Sequence, residues 1–257
     1  MNQSLLLTIA KYSIWEAVRD KFLLLMFAGV FGFFLISLFV GELAITESSA
    51  TQAAILASAL RLFSVFTVGL FVITSMVREF NDKGFELILS HPVPRSSYYF
   101  GKFAGFSSVA LLISFLCFCC LSFYVSPSLA FFWSFSLFCE LLIIISLSFL
   151  CLFSFSNITI SFSIVIGFYI LSRSMEAIQL ISSSPIIGIG SMGNKFINGL
   201  LNTIAYVIPD LYRFTLTEWL IYDVEVIGSI SHVIAQTLIY ITFISFVALF
   251  DLYRKEL

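Results

Sequence analysis

Charge is what this sequence has least of. Only 11% of its 257 residues are Asp, Glu, Lys or Arg, against roughly 25% in soluble domains. The formal net charge of −2 and the lack of any basic tract exclude a nucleic-acid binder driven by counterion release. Histidine is nearly absent, with only His91 and His232. The five cysteines, Cys117, Cys119, Cys120, Cys139 and Cys151, all fall inside apolar runs. They read as packing residues, and no metal site is expected.

Catalytic and nucleotide motifs are equally scarce. Gly188-Ile-Gly190-Ser-Met-Gly193 matches G-x-G-x-x-G, but that fingerprint needs a strand before it and a helix after it in a soluble βαβ unit. A phosphate loop needs Lys directly after its last Gly, and here Asn194 stands between Gly193 and Lys195. The chain therefore carries no nucleotide-binding motif of its own, and no cofactor is expected on it. Serines within the apolar runs have no histidine or lysine placed to activate them, and suit helix packing instead. No cleavable signal precedes the first strongly apolar run, which begins only after Lys21, so that run is expected to stay.

What is present is hydrocarbon: 60% of residues are hydrophobic and 17% aromatic. Several runs reach the roughly 20 apolar residues that cross about 30 Å of bilayer as a helix. The expected fold is an all-α integral membrane protein, one transmembrane domain over 1–257 with six spans. These are Phe22–Ala44, Ala54–Val77, Phe103–Val125, Leu129–Phe153, Ile158–Ile181 and Ser229–Phe250. Spans four and five are separated only by Ser154–Asn157, but together exceed twice a bilayer's need and must form a hairpin.

Before them, Leu5–Arg19 carries apolar residues at Leu6, Ala10, Ile14 and Val18, with Lys11, Glu16, Arg19 and Asp20 opposite. This predicts an amphipathic interfacial elbow helix within 1–21, with Tyr12 and Trp15 at headgroup level. Between spans five and six, residues 182–228 form a loop whose apolar stretches Phe196–Ile208 and Phe214–Tyr222 are too short to span. They are expected to be re-entrant or surface helices.

Nine of the thirteen Lys/Arg residues lie on the amino-terminal side of this arrangement: 11, 19, 21, 78, 83, 95, 102, 254 and 255. The positive-inside rule then puts both termini in the cytoplasm and the 182–228 loop outside.

Among the charges within spans, where each costs about 2.5–3.5 kcal/mol at the bilayer centre, are Arg61, Glu140 and Arg173. Glu140 is expected to face the bundle interior and pair with one of the arginines. The pair serves either as a structural lock or as part of a polar substrate path.

The polar island Arg78–Lys102 has internal order. Phe85, Ile88 and Leu89 stand at i, i+3 and i+4 among Asp82, Lys83 and Glu86; Pro92 and Pro94 then stop any helix, and Ser96 or Ser97 can cap the next. A short helix with such a stripe, parallel to the membrane, is a docking surface.

The run from Glu79 through Gly84-Phe-Glu86-Leu-Ile-Leu-Ser-His-Pro-Val-Pro-Arg95 to Gly101-Lys102 resembles a segment of type-2 ABC transporter permeases. Phe85 stands where that family commonly has Thr, and Pro94 where it commonly has Ser. The resemblance extends to the elbow helix, the six spans, Ile208-Pro209-Asp210-Leu-Tyr-Arg-Phe before span six, and the basic tail. In size the chain is nearest the permease of the nitrous-oxide-reductase maturation system, with the ABCG-like exporter architecture.

The resemblance implies a permease subunit of an exporter in a bacterial inner membrane. Its 78–102 loop would dock on a separate ATPase chain through Glu79, Asp82, Lys83, Phe85, Glu86, Leu89 and Arg95. It implies two ATPase copies carrying ATP and Mg, and a second permease copy, identical or different. Membrane lipids surround such a subunit, and its outer loop could instead serve an accessory protein. The alternative, a self-contained secondary transporter or channel, expects internal repeats and paired helix breaks that the sequence does not display.

Overall fold

Inside a bilayer every backbone N–H and C=O must find its partner within the protein, which leaves helices as the solution for apolar runs of this length. The computed structural model describes residues 3–43, 48–82, 94–155, 157–183, 199, 201, 203–204, 208–221 and 226–254, and among them there is no strand. The helices are α1 (Gln3–Arg19), α2 (Phe22–Leu43), α3 (Ser48–Asn81), α4 (Arg95–Leu121), α5 (Pro127–Phe155), α6 (Ile158–Ser183), α7 (Glu218–Ile221) and α8 (Val226–Arg254). A 3-10 turn, Leu211–Arg213, precedes α7. Six of these, α2 to α6 and α8, are long and apolar enough to cross a membrane. The expected all-α class and span number are therefore present.

The ends of the spans differ from the expected ones. α3 covers Ser48–Asn81 rather than Ala54–Val77, and α4 runs from Arg95 to Leu121 rather than from Phe103 to Val125. A hydropathy window sees only the hydrocarbon, whereas a helix continues through the polar interface while its residues tolerate it. The expected serine cap of α4 is not used. Pro94 is the N-cap residue, with φ −64°, and Ser97 is buried with no partner for its hydroxyl. Proline at a helix start loses no hydrogen bond, because the first amides have no intrahelical acceptor anyway. As a consequence Lys102, read as part of a solvated island, lies two turns inside α4 with only 3% of its side chain exposed.

The hairpin between spans four and five is formed as expected. α6 starts where Asn157 accepts the Thr159 amide on its side-chain oxygen at 3.0 Å. α5 is the central helix, packed on α3, α4, α6 and α8 and buried over most of its length from Ala130 to Phe153. By contrast α2, α6 and α8 turn large apolar side chains outward, among them Phe27, Phe31, Ile170, Phe243 and Phe246. A hydrocarbon solvent takes such faces without cost.

α1 corrects one detail of the amphipathic reading. Its inner face centres on Ile9, Ser13, Glu16 and Ala17, with Ala10 and Ile14 of the expected stripe at its edge: Ser13 and Ala17 are fully buried while Val18 is 52% exposed. A stripe spaced strictly by four drifts around a helix of 3.6 residues per turn, which is how Glu16 comes to face inward. Tyr12 and Trp15 point outward, 67% and 63% exposed. The chain then breaks at Lys21, whose φ of 55° is left-handed, and α2 begins.

α1 lies on α4 over Gly101 and Gly105, a Gly-x-x-x-Gly pair. A β-carbon at Gly105 would stand 2.6 Å from Ser13 Cβ and 2.9 Å from the Ala10 carbonyl oxygen. Small residues at this spacing let two membrane helices approach backbone to backbone. Gly105→Ala is expected to lower the melting temperature in detergent, at a cost of about 1–3 kcal/mol for the forced separation. Gly167→Ala on α6, where nothing lies within 4 Å, should leave it unchanged or slightly raised.

Candidate functional site

Two buried charge clusters hold the bundle, and α3 contributes to both. The first lies where α3 leads into residues 83–93 and α4 begins. Lys102 Nζ is 2.6 Å from Glu79 Oε2 on α3 and 3.6 Å from Glu16 Oε2 on α1. Ser75 donates to the other oxygen of Glu16 at 2.6 Å, and the ammonium also lies 5.9 Å from the Phe106 ring centroid. One buried cation thus joins α1, α3 and α4. At its outer margin Arg78 donates to Asp20 at 2.5 Å, with the arginine half exposed.

Of the residues expected on the docking loop, Glu79 therefore turns inward to Lys102, with 15% of its side chain exposed, while Asp82 is exposed. Arg95 donates to the carbonyls of Leu252 and Tyr253 at 2.8 and 3.1 Å, capping the last turn of α8. Lys83, Phe85, Glu86 and Leu89 lie outside the described residues, as do Ile88, His91 and Pro92. The Gly188–Gly193 motif and Lys195 do too.

The second cluster lies deep in the bundle. Glu140, thirteen residues into α5, is fully buried, and Arg173 Nη1 on α6 is 3.6 Å from its Oε1. Residues 208–221 descend to meet it, with Pro209, Leu211, Phe214, Thr215, Trp219 and Leu220 all buried. The stretch expected to be re-entrant or a surface helix, Phe214–Tyr222, is over its described part a turn followed by the four-residue α7, seated on α3 and α5. Most of Phe196–Ile208 falls outside the described residues.

Irregular backbone at this depth persists only if the protein supplies its hydrogen bonds. Arg173 donates to the carbonyls of Leu211 and Phe214 at 2.8 and 3.2 Å, Arg61 on α3 donates to that of Thr215 at 3.3 Å, and Ser172 donates to that of Pro209. Thr215 itself is held from three sides. Its amide donates to Ser136 Oγ at 3.1 Å, its hydroxyl to Glu140 Oε2 at 3.0 Å, and its carbonyl receives Arg61. That restraint matches its backbone, whose φ of 48° is strained for a β-branched residue. All three intramembrane charges named from sequence therefore meet at one turn. Each arginine also serves a backbone carbonyl, a partner that sequence alone did not suggest.

The residues that sequence reading missed are Glu16, Ser75, Ser136, Ser172 and Thr215. Only Glu16 carried a usable signal, a charge on the helix face that α1 turns inward. Among the described residues no three His, Cys, Asp or Glu gather so as to hold a metal, and the five cysteines are free thiols within the spans. His232 is exposed on α8.

A family model described as "ABC-2 family transporter protein" matches residues 36–247. A search of curated proteins finds no match to the chain.

Proposed function

Because the chain belongs to the ABC-2 family of transporter proteins, we propose that it is the permease through which a separate ATPase drives substrate outward across a bacterial inner membrane. It is a multi-pass membrane subunit of an ABC transporter. In the working complex two ATPase chains carry ATP and Mg, and a second permease copy, identical or different, completes the path. Residues 1–257 act as a single permease domain, with both termini and the 78–102 segment in the cytoplasm and the 182–228 loop outside, open to an accessory protein.

The observation that carries this reading is the Lys102 cluster. Glu79 precedes the 83–93 segment and Lys102 follows it, and their 2.6 Å contact, shared with Glu16, bridges the segment at its base. The end of α3 and the start of α4 that flank the segment are thereby tied to each other and to α1. In this assignment Asp82, Lys83, Phe85, Glu86 and Leu89 meet the ATPase, while Glu79 and Arg95 hold the two flanks. Charge reversal at Asp82 and Glu86 together is expected to abolish co-purification of the ATPase and its stimulation by the permease, with the spans still folded. Unchanged complex formation and ATPase rate would overturn the coupling assignment.

A further inference from the structure

The face of α1 turned away from α4 carries cations and aromatic rings in alternation. Lys11, Trp15 and Arg19 follow one another four residues apart and so form one ridge along the helix, with Tyr12 beside Trp15. All four are exposed, and a concavity of about 620 Å³ lies against them. Leu7 and Val18, also exposed, border the ridge. Lysine and arginine interleaved with Trp, Tyr and aliphatic side chains are what an interfacial helix offers to the headgroup layer. The depth of α1 follows from its connection: only the turn at Asp20 and Lys21 separates Arg19 from Phe22, where α2 begins its crossing.

The ridge is positive because the nearby carboxylates are engaged elsewhere. Glu16, which borders the concavity, is 3.6 Å from Lys102 and accepts from Ser75 at 2.6 Å. Asp20 is held by Arg78 at 2.5 Å, and its 3.9 Å contact with Arg19 leaves that side chain 72% exposed. Lys11 has no ion-pair partner among the described residues. Two cations thus stand about 12 Å apart along the axis, with Trp15 between them and no anion of the chain to neutralise them.

We propose that this face of α1 binds anionic phospholipids of the membrane, with Lys11 and Arg19 pairing with headgroup phosphates and Trp15 and Tyr12 lying between the headgroups. A zwitterionic lipid offers the same phosphate but brings its own ammonium, so the two cations favour lipids of net negative charge. The aliphatic stems of lysine and arginine reach past the rings to that level. The assignment rests on the seat of α1 alone and is independent of the coupling role given to residues 78–102.

Trp15 supplies the readout, because Trp133 and Trp219 are buried and the emission of a Trp15→Phe variant can be subtracted. The full chain is reconstituted in equimolar phosphatidylglycerol and phosphatidylcholine, with bromine placed near the headgroup end of the acyl chains of one lipid or the other. Trp15 quenching is expected to show at least about fivefold enrichment of phosphatidylglycerol beside it, the factor that one cation near the surface gives. Lys11→Gln/Arg19→Gln should remove most of that enrichment, as should 1 M salt, where screening acts over about 3 Å. Lys11→Arg/Arg19→Lys should keep it, and so should Arg254→Gln at the end of α8. Equal quenching by the two lipids, or enrichment that survives Lys11→Gln/Arg19→Gln, would overturn the site. So would a Trp15 that neither brominated lipid quenches, since the face would then meet water or another protein.

Discussion

Replacing Lys102 by methionine is expected to unfold the junction of α1, α3 and α4, at a cost of about 3–5 kcal/mol, as for removal of one partner of a buried pair. Methionine keeps the length and apolar stem of the side chain, so packing against Phe106 survives and the loss isolates the charge. Glu79 and Glu16 would then share one buried space with no cation between them. The measurement is the melting temperature and the yield of monodisperse protein in detergent. Pairing Lys102→Met with Glu79→Gln and Glu16→Gln should recover a large part of the loss, because groups in direct contact do not behave additively. Arg78→Met is the contrast. Its partner Asp20 is at 2.5 Å, but the arginine is half exposed, and the pair is worth at most about 1 kcal/mol.

The second large effect is at Arg173. Arg173→Leu would strip the Phe214 carbonyl of its donor, leave the Leu211 carbonyl only the Phe214 amide, and leave Glu140 without its ion pair. An unsatisfied buried acceptor costs about 1–3 kcal/mol, and an uncompensated buried charge more, so the turn at 208–221 should leave its seat. Arg213, on the 3-10 turn, offers a direct readout, since trypsin cleavage after it should accelerate sharply once the turn is released. Glu140→Gln separates the two roles left open by sequence. It keeps an acceptor for Thr215 while removing the charge, so normal assembly with lost transport places Glu140 on the substrate path, and normal transport makes it a lock alone.

The spans were legible because the bilayer imposes a length that apolar runs either meet or do not, and α2 to α6 and α8 meet it. Arg61, Glu140 and Arg173 were legible as a group for the same reason, since an intramembrane charge stands out against hydrocarbon. Lys102 was misread because a charge near the end of an apolar run ordinarily belongs to water. The carboxylates that draw it inward come from α1 and α3, far off in sequence. Gly101 and Gly105 looked like ordinary glycines until α1 was seen lying across them. Thr215 gave no signal at all: its role depends on a backbone conformation and three partners on separate segments. The docking stripe at Phe85, Ile88 and Leu89 falls in residues the structure does not describe.

α3 runs unbroken for 34 residues, about 51 Å at 1.5 Å per residue and well beyond the roughly 30 Å of hydrocarbon. It carries Arg61 in the deep cluster and Glu79 in the other, a separation of 18 residues, or about 27 Å along its axis. A rod fastened at two such points behaves as a lever with a second anchor. Tilting its Asn81 end would carry Arg61 away from the Thr215 carbonyl or drag the turn with it. Under the coupling role proposed for residues 78–102, force applied at one face of the membrane would thereby reach a strained residue in its interior.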